Sequence, residues 1–187
     1  MDHYIDIALL PDPEFSAPML MNALFAKLHR GLVDHGGGDI GVSFPEVGGK
    51  TLALGSKLRL HGNATSLRLL MQNGWTQGMR DHIALIEPRP IPTTVQHRVV
   101  RRVQGKSNPE RLRRRLMSRK RIGAEDALAA IPDSSAERLT LPYLEMSSRT
   151  TGQRFRLFIE HMAPQSVPIT GSFSAYGLSN TATVPWF

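Results

Sequence analysis

The segment from residue 108 to residue 121 is the most basic part of the chain. It holds six arginines and one lysine beside a single acid, Glu110. At about 100° per residue on a helix, five of these arginines fall within an arc of about 160°; they are Arg111, Arg114, Arg115, Arg119 and Arg121. Guanidinium groups without neighbouring acids suit phosphate oxygens, because each can donate two parallel hydrogen bonds. The segment predicts a polyanion-binding helix, and a solvated charged face is the alternative.

The distribution of charge along the chain favours the same interpretation. The formal net charge is +7. Eleven Lys or Arg and one acid lie between Arg98 and Arg121, whereas the rest of the chain holds twelve bases and fifteen acids. Such a concentrated field attracts phosphates and releases their counterions. Nucleic acid or another polyanion is therefore the expected partner, and a membrane surface is the weaker alternative because the segment has no Trp or Phe to insert.

Arg102 and Gln104 lie two residues apart just before the basic segment. On an extended chain they point the same way. Their side chains match the edges of guanine and adenine, respectively. The pair could therefore read bases, although a generic edge strand explains it equally well.

The candidates for catalysis are hydroxyl groups and histidines. His29 lies beside the apolar stripe of a predicted helix, where it is either a boundary residue or a catalytic residue. Taken alone, Ser148 and Tyr176 have no local partner that would activate them, and Phe155 is more typical of a core than of a base-stacking platform. The histidines form no HxxxH or HExxH pair, so we expect no metal site and no cofactor.

Composition excludes several classes of protein. The chain has no cysteine, which rules out disulfides, zinc sites with thiolate ligands and cysteine nucleophiles. This fits a reducing cytoplasm, where we expect the protein to be. No apolar run approaches the length needed to cross a bilayer, and the opening MDHYIDIALLPDPEF lacks the basic start of a signal peptide.

The elements that must position these residues follow a recognisable order in the first half. Hydrophobic patterning predicts helices at 17–33, with Leu20, Leu24, Leu28 and Leu32 at helical spacing, and at 65–72. Strands are predicted at 4–9, 40–44, 57–61 and 79–87. This order, βαββαβ, is the ferredoxin-like pattern.

A proline-rich stretch, EPRPIPTT, suggests a domain boundary at residue 94. Beyond it we expect an exposed strand or arm at 97–106, the basic helix to about Lys120 with Ser107 or Asn108 as its cap, and a short helix at 125–131. Strands follow at 139–146, 154–160 and 172–176. The sequence therefore predicts an α+β protein with domains at 1–94 and 95–187.

Several segments together resemble one family, the CRISPR repeat-processing endoribonucleases of the type I-F system, which are divergent members of the Cas-six family often called Csy-four. These segments are MDHYIDI, FAKLHR, RVQGKSNPERLRRRLM, TGQRFRLFIEH, YGLS and the terminal VPWF, so the resemblance covers the whole chain. It implies a ferredoxin-like N-terminal domain and a C-terminal domain that grips the stem-loop of CRISPR repeat RNA. It also implies metal-independent cleavage at the base of that stem, retention of the processed guide RNA, and other Cas proteins as partners.

The resemblance also implies roles for particular residues. His29 would be the general base, Ser148 would hold the attacking ribose hydroxyl, with Ser147 as the open alternative, and Tyr176 would orient the imidazole. Arg102 and Gln104 would read base edges, and Phe155 would stack beneath the last pair of the stem. The arginine helix, including Arg111, Arg114, Arg115 and Arg119, would lie in the major groove.

Two stretches depart from the family pattern: Ser118 interrupts the basic run, and NTATVPWF lacks the glycines expected before the terminus. The main alternative function is a non-catalytic RNA- or DNA-binding protein that uses the same helix. An assembly subunit of a guide-RNA complex is a third class, compatible with the enzyme.

Overall fold

The computed structural model describes the chain in five stretches, residues 1–48, 52–105, 109–135, 139–148 and 151–187. The described part is α+β, with two sheets of antiparallel strand pairs and four α-helices. Its contacts separate two compact units, residues 1–102 with 141–187, and residues 103–140. The domain boundary expected at residue 94 stays a prediction. No described helix is both long enough and apolar enough to span a bilayer.

The first sheet collects the strands of the first ninety residues. They are β1 (His3–Leu9), β2 (Gly41–Ser43), β3 (Lys57–Gly62), β4 (Ile83–Leu85) and β5 (Arg89–Pro90). The strand order is β2-β3-β1-β4, with β5 paired to β1, and the helices between them are α1 (Ala17–His35) and α2 (Ala64–Gln72). The predicted succession βαββαβ is found. Its last strand is shorter than predicted, because residues 80–82 form a 3₁₀ turn.

Helix α1 follows from its spacing of apolar residues. The four predicted leucines are buried together with Met21 and Phe25, which lie on the same side. The helix ends at His35 and is capped by Gly36, whose φ of 70° few other residues adopt and whose N–H donates to the carbonyl of Leu32. The helix therefore has one apolar face, and His29 lies at its border.

The second sheet contains strands β6 to β9 in the order β7-β8-β6-β9. These strands are β6 (Gln96–Val103), β7 (Tyr143–Ser147), β8 (Arg154–His161) and β9 (Thr183–Trp186). The strand predicted at 172–176 is wrong, because a turn at Gly177 reverses the chain there. Strand β9 was not predicted, because it is short and contains Pro185. Proline is tolerated there because β9 is an edge strand and needs no ladder bond on its outer side.

One hydrophobic core joins helix α1 and both sheets. It includes Leu24 and Phe25 of α1, Leu144 and Met146 of β7, and Leu157 of β8. The side chain of Asn22 adds a polar link, because its Oδ1 accepts a hydrogen bond of 3.0 Å from the backbone N–H of Glu145. The helix that carries His29 is therefore fixed against the strand that leads to Ser148.

The second unit contains helices α3 (Pro109–Lys120) and α4 (Ala124–Ala130). The basic helix ends at Lys120 as predicted, and Arg121 follows in a left-handed conformation with φ 53°. The Arg113 guanidinium donates to the Ile131 carbonyl at 3.0 Å and to the Asp133 carboxylate at 2.7 Å. The predicted caps, Ser107 and Asn108, lie outside the described residues.

Candidate functional site

Four segments of the chain line one open cleft of about 390 Å³. Helix α1 contributes His29, the end of β7 contributes Ser147 and Ser148, β8 contributes Phe155, and a loop contributes Tyr176. All of them belong to the first unit. The structure thus brings together His29, Ser148, Tyr176 and Phe155, four of the residues singled out in the sequence.

The contacts of His29 decide which of its ring nitrogens is left as a hydrogen-bond acceptor. Its Nδ1 lies 2.8 Å from the carbonyl oxygen of Ala175. A carbonyl can only accept, so Nδ1 carries the hydrogen and the neutral ring keeps its lone pair on Nε2. The Tyr176 ring stacks on the imidazole with centroids 4.2 Å apart and planes within 9°. These two contacts fix both the tautomer and the plane of the ring.

The loop that holds His29 is a tight turn. The backbone N–H of Gly177 donates to the Ser174 carbonyl, and that of Ser174 donates to the Leu178 carbonyl. Gly177 has φ 67°, and a Cβ at this position would lie 2.2 Å from Cγ2 of Val42. Only glycine fits there. The glycine of the YGLS motif therefore sets the positions of Tyr176 and of the Ala175 carbonyl.

The serines at the end of β7 line the same cleft as the histidine. The Ser148 hydroxyl accepts a 3.3 Å hydrogen bond from the backbone N–H of Thr151, and the Ser148 N–H donates to the Gln153 carbonyl. Ser147 is exposed and Ser148 is half-buried, and both line the cleft. Either hydroxyl can therefore face a ligand in the cleft, and the choice between them stays open.

Arg102 lies next to the aromatic residues of the cleft. Its guanidinium carbon is 5.7 Å from the centroid of the Phe155 ring and 5.8 Å from that of Tyr176. Its Nε is buried and has no hydrogen-bond partner among the described residues. Phe155 also packs against the hydrophobic core, so the core role expected from the sequence and its place in the cleft hold together.

The remaining predicted binding residues lie in the second unit. Gln104 is exposed just beyond the end of β6. On α3 the exposed arginines are Arg111, Arg114, Arg115 and Arg119, and Ser118 is exposed on the same face. None of the twelve residues of this helix is buried. The helix therefore presents a basic surface. The charge of Arg113 contributes less to this surface, because its guanidinium pairs with Asp133.

Two other histidines of the first unit, His61 and His161, are held neutral by burial. Burial holds the pKa of His61 well below its usual range. Burial and the neighbouring Arg98 guanidinium lower the pKa of His161 to about 4. Both side chains are therefore neutral at physiological pH, and neither lines the cleft of His29. Among the described residues no group of three or more histidine or acidic side chains is arranged to hold a metal ion.

The terminal VPWF motif has a structural role that the sequence analysis did not predict. The Arg59 guanidinium lies 4.0 Å from the Phe187 ring centroid and 4.8 Å from that of Tyr4. It also makes two hydrogen bonds to Asp6 and one to the Phe187 carbonyl. These contacts fasten the end of β9 to β1 and β3 of the first sheet.

Sequence reasoning also missed Arg30 and Asp34, which line the cleft beside His29. Their positions, one and five residues after His29, place them within an arc of about 140° on α1. Helical spacing could have found them once His29 had been selected. Neither residue type is distinctive on a helix surface, so the sequence alone offered no reason to select them.

Comparison with known proteins gives a consistent result. The chain matches the family model described as CRISPR-associated protein (Cas_Csy4) over residues 4–187. It is 50% identical over 187 residues to the CRISPR-associated endonuclease Cas6/Csy4 of Pseudomonas aeruginosa (strain UCBPP-PA14), covering 100% of both chains. It is 48% identical over 187 residues to the CRISPR-associated endonuclease Cas6/Csy4 of Escherichia coli (strain UTI89 / UPEC), again covering 100% of both.

Proposed function

Because the chain belongs to the Cas_Csy4 family of CRISPR-associated proteins, we propose that it is an endoribonuclease that cleaves CRISPR precursor RNA at the base of the repeat stem-loop. The observation that carries this proposal is the cleft in which the Nδ1 of His29 is held by the Ala175 carbonyl. This arrangement leaves the lone pair of the neutral ring on Nε2, in a cleft that two serines also line. A histidine held in this tautomer can accept a proton, and proton transfer is the step that distinguishes cleavage from binding alone.

The reaction uses a nucleophile that RNA itself supplies. His29 Nε2 removes the proton of the 2′-OH next to the scissile phosphate, and the Ser148 hydroxyl holds that ribose oxygen in place. The 2′-oxygen forms a bond to phosphorus and the bond from phosphorus to the 5′-oxygen breaks. The 5′-oxygen takes a proton from water as it leaves, and the His29 imidazolium returns its proton to solvent. The products are a 2′,3′-cyclic phosphate and a 5′-OH, and no metal ion takes part. Tyr176 acts as a positioning residue through its stacking on the imidazole.

Two sets of residues recognise the RNA. Arg102 and Gln104 contact base edges at the foot of the stem, and Phe155 stacks beneath its last pair. The deep major groove of an A-form helix resists base reading by side chains, so the α3 arginines recognise its phosphates and shape. The exposure of these arginines and the position of Arg102 beside Phe155 support this division.

The overall organisation fits this division of labour. We place a ferredoxin-like domain at 1–94, supported by the βαββαβ succession and the strand order of the first sheet. Residues 95–187 form the domain that binds the RNA hairpin. After cleavage the protein stays bound to its guide RNA in the cytoplasm, where it joins the other Cas proteins of the type I-F complex.

The proposal is tested with two forms of one CRISPR repeat hairpin in EDTA. One is all ribose, and the other has a 2′-deoxy residue upstream of the scissile phosphate. We expect the first to be cut and the second to be bound intact. Cleavage of the deoxy form, or a requirement for added metal, would refute the mechanism. Binding of both without cleavage of either would instead support a non-catalytic RNA-binding protein.

A further inference from the structure

Arg30 is an exposed arginine in the cleft that contains His29. In the described part of the chain its guanidinium forms no salt bridge, although Asp34, one turn further along α1, lines the same cleft. Lys27 of the same helix is engaged differently, because its Nζ donates to the Gln77 carbonyl at 2.8 Å. Arg30 is therefore the basic side chain of α1 that lies in the cleft with its donors open.

Helical geometry directs Arg30 toward the ligand of His29. The two residues are adjacent, and with Val33 and Asp34 they occupy one face of α1 within an arc of about 140°. Any RNA cut by His29 must bring its scissile phosphate into this cleft, with neighbouring phosphates about one nucleotide away on either side. A guanidinium is well suited to phosphate oxygens, because its planar group can donate two hydrogen bonds at once.

We propose that Arg30 binds the RNA backbone at the cleavage cleft, at the scissile phosphate or the phosphate that follows it. This inference rests on the proposed function and adds to it a contact that comes from the N-terminal half of the chain. Asp34 opposes the contact, because its carboxylate places a negative charge in the same cleft. The two side chains together set how strongly the strand is held where it is cut.

The experiment compares two uncleavable hairpins. The longer one carries a 2′-deoxy residue at the cleavage site and extends past it on the 3′ side. The shorter one ends at the 3′-OH of that residue, so it lacks the scissile phosphate and all that follow. Dissociation constants are measured for the wild type, Arg30→Gln, Arg30→Lys and Asp34→Asn. Arg68→Gln, which removes an exposed arginine of α2, serves as the matched control.

We expect Arg30→Gln to weaken binding of the longer hairpin about three- to tenfold and to lower its salt dependence by about 0.7 in log-log slope, as for one single-strand phosphate contact. Binding of the shorter hairpin should not change. Arg30→Lys should recover part of the loss, and Asp34→Asn should tighten binding of the longer hairpin alone. Opposite responses of Arg30 and Asp34 on one RNA identify an electrostatic contact, which a purely structural role would not produce.

Equal losses on both hairpins, or no loss on either, would overturn the assignment of Arg30. The ribose form of the longer hairpin tests the proposed function separately. If the wild type fails to cut it, the proposed function itself is wrong. If the wild type cuts it while Arg30→Gln binds both hairpins normally, only the role of Arg30 is wrong.

Discussion

His29 lies in a cleft that is lined by four separate segments of the chain, whereas the predicted phosphate-binding arginines lie on one helix of twelve residues, α3. The cleft segments rest on a shared core of fully buried side chains, while α3 has no buried residue. A group that must be positioned within a fraction of an ångström of a reacting atom needs the support of such a buried core. Charges that attract a polyanion act over longer distances, so an exposed helix without buried residues is sufficient to carry them.

This comparison separates the expected effects of substitutions. Changes in the cleft should alter the rate of cleavage, because they disturb groups that act on the reacting atoms. Changes on α3 should alter affinity and its salt dependence, because they remove phosphate contacts.

The largest effect is expected for His29→Ala. Loss of the general base should slow single-turnover cleavage of a repeat hairpin about 10²- to 10⁴-fold. The dissociation constant of the uncleavable hairpin should stay unchanged, because His29 contributes little to RNA binding. His3→Ala, which alters a histidine on β1 outside the cleft, is the matched control and should cleave normally. Normal cleavage by His29→Ala would remove this residue from the mechanism.

Gly177→Ala tests whether the cleft depends on its turn. The new Cβ would meet Val42 and the residue would keep an unfavourable positive φ, so we expect unfolding to become easier by about 2 kcal/mol or more. Displacement of Tyr176 should also slow cleavage. The free energy of unfolding comes from urea titration. Gly152→Ala is the control for the backbone strain alone, because it has φ 67° with no atom within 4 Å of its added Cβ. Equal effects of the two substitutions would contradict the role of the close packing.

The effect expected for Arg102→Ala is smaller than for the substitutions at His29 and Gly177 and larger than for Arg119→Ala. If Arg102 makes a bidentate contact with a base edge, its loss should cost about 1 to 3 kcal/mol of binding free energy. The loss should be specific to the hairpin with the correct base at that position. Equilibrium binding to the native hairpin and to one with that base changed measures the difference. An unaltered affinity would refute the contact.

Arg119→Ala should have the smallest effect. We expect weaker binding to all hairpins alike and a salt slope lower by about 1, with an unchanged cleavage rate at saturation. Arg113→Ala is the control on the same helix, since Arg113 pairs with Asp133. It should leave the salt slope unchanged. A cleavage defect in Arg119→Ala at saturating protein would contradict the proposal that α3 contributes to RNA binding and not to the cleavage step.

The parts of the molecule that depend on local patterning could be predicted from the sequence. The leucine spacing predicted α1, and the start signals at Pro109 and Glu110 predicted a helix α3 that runs to about Lys120. The succession of strands and helices in the first sheet was also predictable. Each of these features depends on residues within a few turns of one another.

The cleft could not be derived in this way. The hydrogen bond that fixes the His29 ring joins residues 146 positions apart. Patterning also assigned a strand to 172–176, where the structure has the loop that carries Tyr176. The positive φ of Gly177 and its close approach to Val42 reverse the chain there, and neither is visible in local alternation. Only the family resemblance suggested roles for Ser148 and Tyr176, and those roles remain predictions.

The tautomer of His29 tests the account most directly, because the whole mechanism depends on an open Nε2. Nitrogen-15 NMR of the histidine side chains, with His29→Ala used for assignment, reports which ring nitrogen carries the hydrogen in the neutral state. The contact with the Ala175 carbonyl predicts a protonated Nδ1 and an unprotonated Nε2. A neutral His29 with its hydrogen on Nε2 would contradict the account, because Nε2 could not then accept the proton of the ribose hydroxyl.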